Sequence, residues 1–116
     1  MSIIRIDPEA RWSEAVIHNG VIYYTSVPAQ LDGDAYEQTQ SALAEIDNML
    51  ARAGSDKSCI LDATIFIIDK ADFKAMNRAW DEWVCAGHAP VRCTVQSGLM
   101  HEKYKVEIKI IAAVAE

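Results

Sequence analysis

The nine residues from Ile60 to Ile68, ILDATIFII, constrain the fold of this chain more than any other stretch. They are nearly all apolar and rich in β-branched side chains, which reads as a central strand covered on both faces. The run is far too short to cross a membrane, and no apolar run in the 116 residues is long enough to do so. A strand of this kind needs neighbours on both sides and layers above and below.

The neighbours are legible. Ala15 to His18 and Val21 to Thr25 are apolar runs flanking Asn19-Gly20. Both turn residues accept the positive φ of a type I′ turn, so the segment is a hairpin. Ile3 to Ile6, within the alternating N-terminal MSIIRIDPEA, suits a short first strand. Val91 to Gln96 and Tyr104 to Val114 read as the last two strands, joined by a loop around Ser97 to Lys103.

Two helices fall between. From about Ala35 to Arg52, Tyr36, Leu43, Ile46, Leu50 and Ala53 recur at helical spacing, with Asp32 or Asp34 placed to cap the start and Gly54 to end it. The second runs from Lys70 or Ala71 to Val84, with Phe73, Met76, Trp80, Trp83 and Val84 as its buried stripe and Gly87 beyond its end. The order is β-β-β-α-β-α-β-β: an α+β domain spanning 1–116, with a mixed sheet and both helices on one face. Strand-helix-strand occurs twice, and such crossovers are right-handed and parallel. The other sheet face needs a cover, from barrel closure or from a partner subunit.

Charge and cysteine usage exclude several functions. A net charge of −6 opposes a nucleic-acid footprint. Cys59, Cys85 and Cys93 are odd in number and widely spaced, with no zinc-ligand spacing, and read as buried reduced thiols. No metal and no cofactor is expected. With no signal peptide and no spanning segment in sight, the expected location is the cytoplasm.

The chemistry concentrates near the C-terminus. Arg92, Thr94 and Gln96 share one face of their strand, while Glu107, Lys109 and Ile111 share a face of the last one. If these are the same face of the sheet, Arg92 and Glu107 can border a common cavity. A guanidinium matches a carboxylate bidentately, and a glutamate can orient or deprotonate a water. Equally, the two can pair with each other or end in solvent. His18, His88 and His101 are scattered and read as loop or surface residues. Trp80 and Trp83 read as core, and Asn77 as a backbone cap.

The pattern APVRCTVQSGL followed by YKVEIKIIAAVA resembles the RidA/YjgF family, also called the endoribonuclease L-PSP family, in a divergent, YoaB-like form. HNGVIYYTS resembles its hairpin, QTQSALAEIDNML its first helix, and ATIFIIDKADFKAMNRAWDEW its central strand and second helix, including Asp72, Phe73 and Asn77. The resemblance covers nearly the whole chain. It implies a chorismate-mutase-like fold and a homotrimer with clefts between subunits, which would cover the open sheet face.

It further implies that Arg92 holds a ligand carboxylate and that Glu107 positions a water beside a substrate imine. The implied activity is hydrolysis of reactive 2-imino acids, or their enamine tautomers, to 2-keto acids and ammonia, without metal or cofactor. Three departures mark this chain. Ser26-Val27-Pro28 stands where familiar members have Ser-Gly-Gln, Trp12 where they have a tyrosine, and Thr94 where they have a cysteine. Ser26, Val27, Trp12 and Thr94 are thus the expected pocket walls; Tyr104, beside the final strand, is a further candidate, with core or interface packing as its other reading. The rival expectation is a non-catalytic module that captures a small carboxylate at Arg92. RNA cleavage ranks last, because the chain is acidic and lacks a basic stripe interleaved with aromatics.

Overall fold

The computed structural model describes residues 2–116. Met1, the first residue of the alternating N-terminal stretch, lies outside the described residues. The elements are β1 (Ile4–Pro8), β2 (Ser13–His18), β3 (Val21–Ser26), α1 (Ala35–Arg52), β4 (Ile60–Ile67), α2 (Phe73–Trp83), β5 (Val91–Gln96) and β6 (Val106–Ala113). The expected order is therefore present. Short 3-10 turns at Lys57–Cys59 and Lys70–Asp72 lead into β4 and α2.

All six strands form one sheet in the order β1-β2-β3-β6-β4-β5. The β2–β3 hairpin closes on Asn19 and Gly20 with φ of 53° and 75°, as a type I′ turn requires. Only the second crossover joins neighbours: β4 and β5 pair in parallel, with Ala63 beside Arg92 and Ile65 beside Thr94. In the first, β6 inserts between β3 and β4 and runs antiparallel to both. The C-terminal strand thus completes the centre of the sheet. Its Ile108 and Ile110 are fully buried, and truncating either to alanine costs about 2–5 kcal/mol.

Both helices cover one face. Ala42, Leu43, Ile46 and Leu50 of α1 and Met76, Ala79 and Trp80 of α2 pack on Ile22, Ala63, Ile65, Ile67, Val106, Ile108 and Ile110. α1 starts at Asp34, whose carboxylate accepts from the Glu37 amide while Glu37 reaches back to the Asp34 amide. The two helices are tied by the Trp83 indole donating to Asp47 (2.9 Å) and by Tyr36 donating to Glu82.

Several details depart from the sequence reading. Phe73, expected in the buried stripe of the second helix, is 42% exposed at its first turn, and β4 is covered on one face only within the single chain. The second helix begins at Phe73, because Asp69 folds back onto the Ala71 amide and tightens the preceding turn to 3-10 geometry. β6 begins at Val106 rather than Tyr104, because the Lys105 amide donates to the Gln38 side chain instead of to a strand. The cysteines are free, but they are not core residues: Cys59 and Cys85 are half-buried and Cys93 is exposed on β5.

The face opposite the helices stays open in the single chain. It carries Tyr23, Phe66, Ile111, Val91 and Val95 together with Thr25, Lys109, Thr64, Cys93 and Glu107. β1 and β5 are free edges, so the chain alone does not close a barrel.

Candidate active site

β5 lies at the sheet edge, and strand alternation turns Arg92, Thr94 and Gln96 toward the helices, in register with Ala63, Ile65 and Ile67. Arg92 is half-buried. Its guanidinium lies 5.3 Å from the centre of the Trp80 ring, and Nη1 is 3.9 Å from the Met76 sulfur. A cation over an indole face gains about 0.5–2 kcal/mol, which orients the group without neutralising it. Among the described residues the only ion pairs are Arg52–Asp7 and Lys103–Asp32, so Arg92 has no carboxylate partner.

Next along the strand, the Thr94 hydroxyl is buried and has no hydrogen-bond partner. Such a group costs about 1–3 kcal/mol. Thr94 lines a cleft of about 480 Å³ together with Ile67, Lys70, Phe73 and Gln96. The lining holds one cation, Lys70, with a hydroxyl and an amide and no carboxylate, a set of groups suited to an anion; Arg92 is one same-face step along β5 from Thr94.

Glu107 stands elsewhere. It pairs with Phe66, out of phase with the buried Ala63, Ile65 and Ile67, and therefore projects from the open face. Within one chain Arg92 and Glu107 do not share a cavity, and they do not pair with each other.

The remaining expected wall residues are placed as follows. Trp12 is 61% exposed, and its indole donates to Glu14 (3.2 Å). Ser26 is fully buried; its hydroxyl donates to the Ala42 carbonyl (2.7 Å) and holds β3 to α1. Val27 is half-buried at the end of β3. Extending the β3–β6 register by one residue sets it opposite Glu107. Tyr104 is half-buried and stacks on His101 with ring centres 4.7 Å apart.

Composition did not flag the residues that support these positions. Gln38, fully buried, donates to the Leu31 carbonyl (3.2 Å) and the Lys103 carbonyl (2.8 Å) and accepts from the Lys105 amide (2.7 Å). It thereby ties the 27–34 loop to the segment that carries Tyr104. Trp80, which reads as plain core, also carries Arg92. The advance signals for Gln38 were its polar side chain at the start of the buried face of α1, next to the equally buried Thr39, and its place at the head of the QTQSALAEIDNML stretch.

The profile of the family described as endoribonuclease L-PSP matches residues 2–114. The chain belongs to this family, the RidA/YjgF family. It is 69% identical over 114 residues to the RutC family protein YoaB of Escherichia coli K12, covering 98% of this chain and 100% of that protein. A YjgF-family structure from Neisseria meningitidis is 43% identical, with a TM-score of 0.96, and the match covers 100% of this chain and 98% of the other. A more distant relative, Reactive Intermediate Deaminase A of Arabidopsis thaliana chloroplasts, is 27% identical over 108 residues, 87% of this chain and 57% of that protein. RidA/YjgF membership agrees with the strand and helix order and with the mixed six-stranded sheet. Among the described residues no helix is long and apolar enough to cross a membrane.

Proposed function

We propose that the chain hydrolyses 2-imino acids, or their enamine tautomers, to 2-keto acids and ammonia. The observation that carries this reading is the half-buried, unpaired Arg92 guanidinium held on Trp80 beside the orphan Thr94 hydroxyl. A distant relative's name, reactive intermediate deaminase, supports the same reaction class. Arg92 takes the substrate carboxylate and Glu107 orients a water. The water oxygen bonds to the imine carbon, the carbon–nitrogen bond breaks, and the nitrogen leaves as ammonia with two protons from that water. An imine carbon is already electrophilic, so placement and charge stabilisation suffice and no cofactor enters.

Because Arg92 and Glu107 face opposite ways, the complete site requires two copies of the chain, in a homotrimer whose subunits cover the open sheet face. Trp12, Val27 and Tyr104 then wall the cleft, and Ser26 anchors the strand beneath it. A cytoplasmic location suits such a scavenging role.

The test generates 2-imino acids with an amino-acid oxidase and traps the remainder with semicarbazide. Clearance faster than that of the Arg92→Ala protein, measured on matched trimers, supports the reading. Equal clearance by the two proteins removes it. The second reading, a carboxylate-binding module without turnover, is favoured by the Glu107 placement if the chain does not assemble, since Arg92 would then have no water-activating group near it.

A further inference from the structure

The cleft beside Thr94 contains more binding groups than one carboxylate needs. Arg92 lies over the middle of α2, against Met76 and Trp80. Lys70 and Phe73 lie where the chain enters α2, and line the cleft with Thr94 and Gln96. Successive same-face positions on β5 are about 6.6 Å apart, so Arg92 leaves the strand one such step from Thr94, beside the residues that line the cleft.

Lys70 is exposed and has no ion pair among the described residues. The neighbouring Asp69 carboxylate is turned back onto the Ala71 amide at 2.9 Å, and Asp72 lines a different cleft, with Tyr104 and Lys105. The Gln96 amide nitrogen makes only a long contact, 3.4 Å, to the Ile68 carbonyl, which leaves its second N–H to donate to an anion. Thr94 is the informative member. Its oxygen is buried without a partner although its side chain borders open space. Rotation about χ1 exchanges hydroxyl and methyl and turns the oxygen into the cleft, where a ligand can satisfy it.

We propose that this groove selects ligands with two acidic ends: a 2-imino acid bearing a carboxylate side chain, or its 2-oxo product, with Arg92 on one end and Lys70 and the Thr94 hydroxyl on the other. The proposal deepens the deaminase reading and rests on its assignment of Arg92. The apolar Ile67 and Phe73 walls contact the connecting methylenes. A longer carboxylate side chain reaches Lys70; an aliphatic one leaves Lys70, Thr94 and Gln96 unmatched, and unmatched polar groups are what give such sites their discrimination.

The test is calorimetric and needs no turnover. 2-Oxoglutarate and 2-oxobutyrate are titrated into the assembled wild-type protein, into Lys70→Met and into Thr94→Val. The expected result is binding of 2-oxoglutarate about tenfold tighter or more, a preference that falls toward unity in Lys70→Met. Thr94→Val is expected to weaken 2-oxoglutarate while raising the melting temperature, because valine removes an unpaired buried hydroxyl. Equal affinity for the two acids, or a preference untouched by Lys70→Met, overturns the proposal. Loss of imine hydrolysis alone, with the preference intact, overturns the deaminase reading and leaves the two-acid groove standing.

Discussion

Arg92 and Glu107 project from opposite faces of one sheet. Arg92 is in register with Ala63 on the helix side, and Glu107 with Phe66 on the open side. In a proposed site that uses both, the two side chains come from different copies of the chain. Arg92→Ala and Glu107→Gln are each expected to be inactive alone. Unfolded together and co-refolded in equal amounts, they should regain up to about one active site in four, because random assembly of a closed ring pairs an intact Arg92 with an intact Glu107 that often. The imine-clearance assay reads this directly. No recovery in verified mixed oligomers would contradict a shared site.

Gln38 ties three backbone groups from two loops to α1. Gln38→Met keeps the length but leaves those groups unmet, and about 2–3 kcal/mol of stability should be lost. Denaturant titration gives that value. Since Tyr104 lies between the two residues Gln38 holds, the variant should also raise KM more than it lowers kcat.

The capping box of α1 offers a stability test remote from the site. Asp34→Ala should lower stability by about 1 kcal/mol, by removing the acceptor for the Glu37 amide. Asp32→Ala should have a much smaller effect, since Asp32 holds only a long exposed contact to Lys103 at 3.9 Å. The comparison is made by thermal melts at fixed pH.

Stability should fall at both ends of the pH scale. The hydrogen bond from Arg52 holds the Asp7 carboxyl below its usual range, and hydrogen bonds from Ser58 do the same for Asp56. Their contributions are present above the ordinary carboxylate value and are lost as pH falls through the lowered ones. Tyr24 behaves oppositely. Burial raises its phenol, so its contribution is complete below the ordinary tyrosine value and is lost as pH rises through the raised one. Denaturation midpoints against pH should show that Tyr24→Phe flattens the alkaline limb and Arg52→Met the acid limb.

Much of the fold was legible because local rules and tertiary structure agree. Asn19-Gly20 dictates its turn whatever surrounds it. The apolar stripe of α1 and the β-branched run of β4 can be satisfied only by burial. The Arg92, Thr94, Gln96 alternation is a property of any strand, and it correctly grouped three residues on one face. The C-terminal pattern around Arg92 and Glu107 likewise carried the family.

What the sequence could not set was how those local pieces face one another. Alternation fixes the relative orientation of residues within a strand but not the phase between strands, which depends on register. Here the pairing of β6 with β4 puts Glu107 behind the sheet and Arg92 in front. The insertion of β6 between β3 and β4, the seating of Arg92 on Trp80 and the bonds of Gln38 to residues more than sixty positions away are likewise products of long-range packing. Sequence determined which groups are present and how each element is built; only the assembled sheet decided which of them meet.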